Sequence, residues 1–269
     1  MTTYYFCASG RASQFATRTQ LGKPRLAVLL TYAYPKDVQV VVNSTGVFRE
    51  WVLDSGAYSV ASSGKVIDLD KFIEDCACLR GSSGLRGIFA LDVIGDHKAS
   101  RVNADKMWGA GIPAIPTYHF GSPVQALRDL AKDFPRIALG GAARLPIVTR
   151  KKWAKACFKE VWPKRVHGLG FGARALLESI PFDSVDATTW VTTTQKYGVW
   201  TGLFGRLPPT SGITIDGMEG MIQRLLSIEA QAKVRWRGIL REAHEEFTAH
   251  ELAHLDSEFY NGAVSEVLG

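Results

Sequence analysis

Apolar runs of strand length recur along the middle of this chain, and stretches with helical spacing separate them. Arg25-Leu-Ala-Val-Leu-Leu-Thr-Tyr32 is continuous, as a parallel strand covered on both faces should be. After it come Trp51–Ala57, Gly87–Asp92, Ile112–His119 (interrupted by Pro113 and Pro116), Arg136–Gly141, Arg165–Gly170 and Phe182–Asp186. Helical spacing occupies 69–79, 98–110, 124–132, 149–161 and 173–179. Strands that alternate with helices in this way imply βαβ units and one parallel sheet. Seven strands between residues 25 and 186 nearly close a (β/α)8 barrel, and an eighth is expected near Val199-Trp-Thr-Gly-Leu-Phe204. A chain of 269 residues with 46% hydrophobic content suits one such α/β, TIM-like domain over 1–269. Its expected parts are an N-terminal flank at 1–24, the barrel at 25–205 and terminal helices at 206–269. Within the flank, Tyr4–Ala8 reads as a short strand that plugs or borders the sheet, and residues 10–24 as a polar, basic loop. The tail from Asp216 is amphipathic, with Met221, Leu225, Leu226 and Ile228 on one face, and predicts one or two packed helices.

Composition narrows the setting. Four scattered cysteines (Cys7, Cys76, Cys78, Cys157) argue for a reducing compartment without a disulfide framework. The N-terminus lacks the charged start and apolar core of a signal peptide, and no apolar run approaches the ~20 residues of a membrane span. A cytoplasmic protein with no membrane partner is expected. The net charge of +6 permits a polyanionic partner without specifying one.

In a parallel barrel, active-site groups come from the C-terminal ends of several strands. Those ends offer Asp54, Asp92, His119, the Gly140-Gly141 backbone, His167 and Asp186. Singly, each acid also suits the N-cap of the following helix. Together, three acids at one mouth would raise one another's pKa, so that one is protonated while another stays ionised. That serves a reaction needing a nucleophile and a general acid/base. The Gly168-Leu-Gly170-Phe-Gly172 segment does not match the Rossmann spacing. His119 and His167 read equally as ligand donors or as satisfied half-buried histidines.

At these residues the chain resembles the transglycosylases that exchange guanine for a 7-deazaguanine base in nucleic acid, a family of (β/α)8 barrels. Leu53-Asp54-Ser55-Gly56-Ala57-Tyr58-Ser59 is similar to the family's Asp-Ser-Gly-Gly-Phe-Gln segment, which implies Asp54 as general acid/base with Ser55 beside the base. Phe89-Ala90-Leu91-Asp92 resembles the strand whose Asp recognises the base edge. Ile137–Gly141 resembles the strand whose Gly-Gly pair, here Gly140 and Gly141, offers backbone groups to the base. Val166-His167-Gly168-Leu169-Gly170 sits where the family has a Met-Gly-Val-Gly floor, so His167 and Gly168 join the expected base pocket with His119. Two acids compete for the family's nucleophile: a literal Phe-Asp match picks Asp183, whereas spacing from Gly170 and the strand's exit pick Asp186. Asp186 is preferred. The resemblance spans roughly residues 50–190.

The departures matter. No cysteine follows Cys157, so the zinc subdomain of the tRNA enzymes is not expected, nor any metal or cofactor. Thr117-Tyr118-His119-Phe120 replaces the family's base-binding Gln segment. The short chain and the Ser-Val-Asp-Ala-Thr-Thr-Trp ending look most like the phage-type members, which act on DNA and would work in the host cytoplasm. The resemblance thus implies DNA and a free 7-deazaguanine such as preQ0 as partners, and leaves a homodimer open. Basic residues from Arg144 to Arg165, among them Lys151 and Lys152, together with Lys196 and Arg206, are candidate phosphate contacts. Trp190, Tyr197 and Trp200 are candidate base-stacking residues. The rival readings are a tRNA transglycosylase, a nucleic-acid-binding barrel without turnover, and a small-molecule barrel enzyme. His250-Glu251-Leu252-Ala253-His254 also matches the zincin pattern, but the 15 residues after it leave little room for a third ligand and a cleft, and an acid- and His-rich solvated helix is expected instead.

Overall fold

A computed structural model describes residues 2–8, 10–61, 66–188, 190 and 215–255, with side chains in the last segment described from 218 to 242. The strands are β1 (Thr3–Cys7), β2 (Ala27–Thr31), β3 (Glu50–Asp54), β4 (Leu85–Ile88), β5 (Thr117–His119), β6 (Arg136–Gly140), β7 (Arg165–Gly168) and β8 (Ser184–Ala187). They lie in the order β4-β3-β2-β1-β8-β7-β6-β5, and each pair is parallel. The two ends of that order meet through a bridge between Phe89 and Ile115, where Ile115 N–H donates to the Ile88 carbonyl at 2.8 Å. The sheet therefore curls round into the expected TIM-like (β/α)8 fold. This seam is thin because Pro113 and Pro116 bring no N–H to the ladder. Around the sheet run α1 (Ala12–Gln20), α2 (Pro35–Asn43), α3 (Ala57–Ala61), α4 (Leu69–Leu79), α5 (His97–Gly109), α6 (Val124–Asp133), α7 (Ile147–Val161), α8 (Arg174–Leu177) and α9 (Ile215–Leu255).

The N-terminal flank expected at 1–24 belongs to the barrel. Tyr5 pairs with Ala27 of β2 on one side and with Asp186 of β8 on the other. The reason lies in two apolar faces: Tyr4, Phe6 and Ala8 join the outer core, while Tyr5 and Cys7 enter the interior. The basic loop expected at 10–24 contains a helix, α1. Its Phe15 and Ala12 are buried, and its Arg18, only 2% exposed, is neutralised by Glu219 at 2.7 Å. Asp37 of α2 accepts the Gly10 and Ala12 N–H groups at the start of α1. The strand expected at 199–204 lies outside the described residues. Among those described, β1 supplies the eighth strand.

The two-residue period of the strands sorts the core. Val28, Leu30, Leu53, Leu139 and Val185 face the helices, while Ala27, Leu29, Val52, Phe89, Ile115 and Ala138 fill the interior. At the N-terminal end of the barrel, Asp183 receives Arg136 at 3.2 Å and Arg165 at 3.3 Å. The described part of the tail is one helix, α9. Met221, Leu225 and Ile228 are buried on its expected face, and its buried Glu229 accepts the Tyr4 N–H at 3.1 Å and pairs with Arg49 and Lys233. The His250–His254 pattern lies in the helical backbone of α9, beyond the described side chains. Among the described residues no helix is long and apolar enough to cross a membrane.

Candidate active site

The C-terminal strand ends meet at one mouth, and Asp54 ends β3 there. Gly56 folds back so that its N–H donates to Asp54 Oδ2 at 3.0 Å. This turn requires glycine: φ is +82°, and a Cβ would lie 3.0 Å from Thr31 Cγ2 and 3.1 Å from the Ala33 nitrogen. Burial pushes the Asp54 carboxyl up from 3.8 to about 7, with the nearby Asp92 and Asp186 charges adding to the rise and the Gly56 N–H opposing it. Ser55 is buried in the same turn.

Asp186, at the exit of β8, is buried among donors. Its Oδ1 accepts the Gly170 N–H at 3.1 Å and lies 3.2 Å from His167 Nε2, while its Oδ2 accepts the Cys7 thiol at 3.1 Å. Gly170 has φ +76°, and a Cβ there would stand 2.8 Å from the Ala143 Cβ. Only glycine brings this N–H to the carboxylate without displacing Ala143. Burial first, then the Asp186 charge, pushes the Cys7 thiol well above its ordinary range, so it stays a neutral donor. Burial pulls fully buried His167 below its ordinary range, against the opposing pull of Asp186. Asp183, the competing acid, sits at the other end of the barrel between two arginines.

Asp92 lies beyond β4 and takes His119 Nε2 on its Oδ2 at 3.3 Å. Its Oδ1 is enclosed and has no partner among the described residues, and the same holds for the Thr117 hydroxyl. A donor from a bound ligand would meet an open acceptor here. The helix-cap alternative fails for Asp92, because Asp96 caps α5 through the Lys98 and Ala99 N–H groups. Gly140 is accounted for by packing: a Cβ would lie 2.7 Å from Thr117 Cγ2 and 3.4 Å from the His119 ring. Gly141 makes a left-handed turn at φ +74°. Gly168 lacks a side chain on the opposite face, where a Cβ would strike Phe171 at 2.7 Å and Phe182 at 2.9 Å, so its missing side chain serves the outer core.

The basic stretch from Arg144 to Arg165 is split by the fold. Arg144, Lys151 and Lys152 are at the start of α7 or in the loop before it, on the mouth side, since the helices of this fold run back against the strands. Arg165 points the other way, to Asp183. Arg144 lies 5.7 Å from the centre of the Tyr58 ring, which links the loop after β6 to α3 across the mouth. Lys196, Arg206, Tyr197 and Trp200 lie outside the described residues. Trp190 is fully buried, 4.7 Å from Phe15, and donates to the Cys7 carbonyl, so it is a core residue that no base can stack on. A cavity of about 320 Å³ between α5 and α6, lined by Lys98, Pro116, Tyr118 and Gln125, contains none of the mouth acids. Cys7, Gly170 and the exposed rings of Tyr58 and Phe120 went unassigned from sequence. Placing Tyr4–Ala8 inside the sheet would have revealed Cys7, because the pleat that turns Tyr5 inward does the same for Cys7.

No protein-family model and no curated protein matches the chain. Solved structures of mutant tryptophan synthase alpha-subunits from Pyrococcus furiosus are similar in fold. One has 12% identity and a TM-score of 0.50, over 83% of this chain and 95% of that one. A second has 15% identity and a TM-score of 0.48, over 73% of this chain and 91% of that one. At such identity the likeness extends to the TIM-barrel fold alone.

Proposed function

We propose that this protein is a base-exchanging transglycosylase that replaces guanine in DNA with a 7-deazaguanine by double displacement. The observation that carries this reading is the pairing at the mouth: Asp54, raised to about 7, beside Asp186, held by three donors. Asp186 attacks C1′ of the target nucleotide, the C1′–N9 bond breaks, and Asp54 gives its proton to the departing guanine. The incoming 7-deazaguanine then loses its ring N–H proton to Asp54 and attacks C1′ from the opposite face, releasing Asp186. Two inversions retain configuration. An acid with a pKa near 7 is suited to both donating and accepting that proton at neutral pH. The open Oδ1 of Asp92 would accept an N–H of the guanine-like edge. The basic start of α7 and the rings of Tyr58 and Phe120 would meet phosphates and bases of an extruded or single-stranded nucleotide.

The test is incorporation of radiolabelled guanine or preQ0 into DNA and into tRNA. Label in DNA, lost in Asp54→Asn and Asp186→Asn, is the expected result. Label in tRNA alone would move the chemistry to RNA. Label in neither polymer, with both bases tried, sinks the reading.

A further inference from the structure

A file of polar groups crosses the otherwise apolar barrel interior and ends on Asp186. Arg136 Nη2 lies 2.6 Å from Ser184 Oγ, Ser184 Oγ lies 2.7 Å from His167 Nδ1, and His167 Nε2 lies 3.2 Å from Asp186 Oδ1. The direction of each bond follows from what the groups can do. A guanidinium only donates, so Ser184 Oγ is the acceptor at the first contact. The Ser184 hydroxyl hydrogen then has one acceptor in the file, Nδ1. A ring nitrogen that accepts carries no proton, so the imidazole proton sits on Nε2 and faces the carboxylate.

We infer that Arg136 and Ser184 are positioning residues, which fix His167 as the neutral Nε2–H tautomer and thereby orient Asp186. With the proton on Nδ1 instead, Ser184 would face two donors, its own hydrogen would have no acceptor in the file, and Nε2 would oppose Oδ1 lone pair to lone pair. The imidazolium is disfavoured as well. The ring is fully buried between Phe89 at 4.8 Å and Tyr5 at 6.1 Å, and burial outweighs the attraction of Asp186 and Asp183, while Arg136 acts in the same direction as burial. The consequence falls on the two carboxylate oxygens. Among the described residues, Oδ1 holds two N–H donors, whereas Oδ2 holds only a thiol, a weak donor. Oδ2 is therefore the more nucleophilic oxygen. This last step rests on Asp186 being the nucleophile of the proposed reaction, but the tautomer does not.

The experiment is a long-range proton–nitrogen correlation spectrum of the full chain labelled with ¹⁵N-histidine, with the His167 signals identified by their loss in His167→Gln. The expected pattern at pH 7 is one protonated nitrogen, Nε2, and one bare nitrogen, Nδ1, because a ring buried this fully resists charging. A protonated Nδ1, or two protonated nitrogens at pH 7, overturns the inference. In Ser184→Ala the bare Nδ1 loses its donor, so its ¹⁵N signal should move, and the ring, held by Asp186 alone, is free to shift. The rate of covalent adduct formation with DNA should then fall ~10- to 100-fold at unchanged DNA affinity, as expected when a reacting group is misaligned. An unchanged Ser184→Ala spectrum also overturns it. A wild-type protein with the expected spectrum and no adduct supports the tautomer and defeats the proposed reaction, so the two failures are distinct.

Discussion

The same residue type has different chemistry at Asp54, Asp183 and Asp186 because their surroundings differ. At Asp54 burial and two acidic neighbours favour the proton against one backbone donor. In the folded protein it keeps that proton up to about pH 7, whereas an ordinary carboxylate releases it near 3.8. Between those values the folded state binds a proton that the unfolded chain has lost, so this group's contribution to stability falls as pH rises through that window. Asp54→Asn should therefore raise Tm by a few °C at pH 8, with the gain vanishing near pH 4, as read by thermal unfolding at both pH values. A destabilised Asp54→Asn at pH 8 would contradict the burial argument. Asp183 is the opposite case. Two arginines hold it in a buried site, and removing it leaves the buried Arg136 without its carboxylate while half-exposed Arg165 turns to water, so Asp183→Ala should cost about 3 kcal/mol in urea unfolding. A nucleophile placed there would instead tolerate the change in stability and lose only activity.

At the level of elements, turns and helix starts decide which groups reach the mouth. The β3–α3 turn aims Asp54, and the segment after β7 offers the Gly170 N–H to Asp186, with Arg150 of α7 holding the Gly170 carbonyl at 2.9 Å. The start of α7 presents Lys151 and Lys152 on the same side, while Glu160 near its other end pairs with Arg128 at 2.8 Å. If these lysines meet phosphates, the slope of log affinity against log salt should become shallower by about 1 for each of Lys151→Ala and Lys152→Ala. Slopes equal to the wild type's would remove the start of α7 from the DNA surface. The strands β2–β8 and helices α4–α7 were legible in the sequence because a strand covered on both faces is apolar throughout and a helix packed on one side is apolar at every third or fourth residue. Helix α1 was not, because Arg18 looks solvent-facing until Glu219, distant in the chain, lies against it.

For the whole molecule, α9 ties the N-terminal end of the barrel together. Glu229 satisfies the Tyr4 N–H, Arg49 and Lys233 from one buried carboxylate. Glu229→Ala would remove the buried carboxylate that the Tyr4 N–H and Arg49 share, and should cost about 2–4 kcal/mol in urea unfolding. A cost below about 0.5 kcal/mol, typical of a surface change, would show α9 to be dispensable for the barrel. The proposed nucleic-acid binding and the order of Asp54, Asp92 and Asp186 at the mouth should survive this substitution, since the contact is at the opposite end.

What the sequence by itself determined is the alternation of strands and helices, the parallel sheet that follows from it, and the acids that end β3 and β8 or lie just past β4. Local periodicity and short-range spacing carry all of that. Only the tertiary structure decided that β1 lies between β2 and β8, because lateral order depends on contacts between residues far apart in the chain, such as Tyr5 with Asp186. The same holds for the choice of acid. Phe182-Asp183-Ser184-Val185-Asp186 offers two carboxylates three residues apart, and sequence spacing ranks them without separating their environments. The strand carries Asp183 to one end of the barrel and Asp186 to the other, where Cys7 of β1 and His167 and Gly170 of β7 and its exit converge on it.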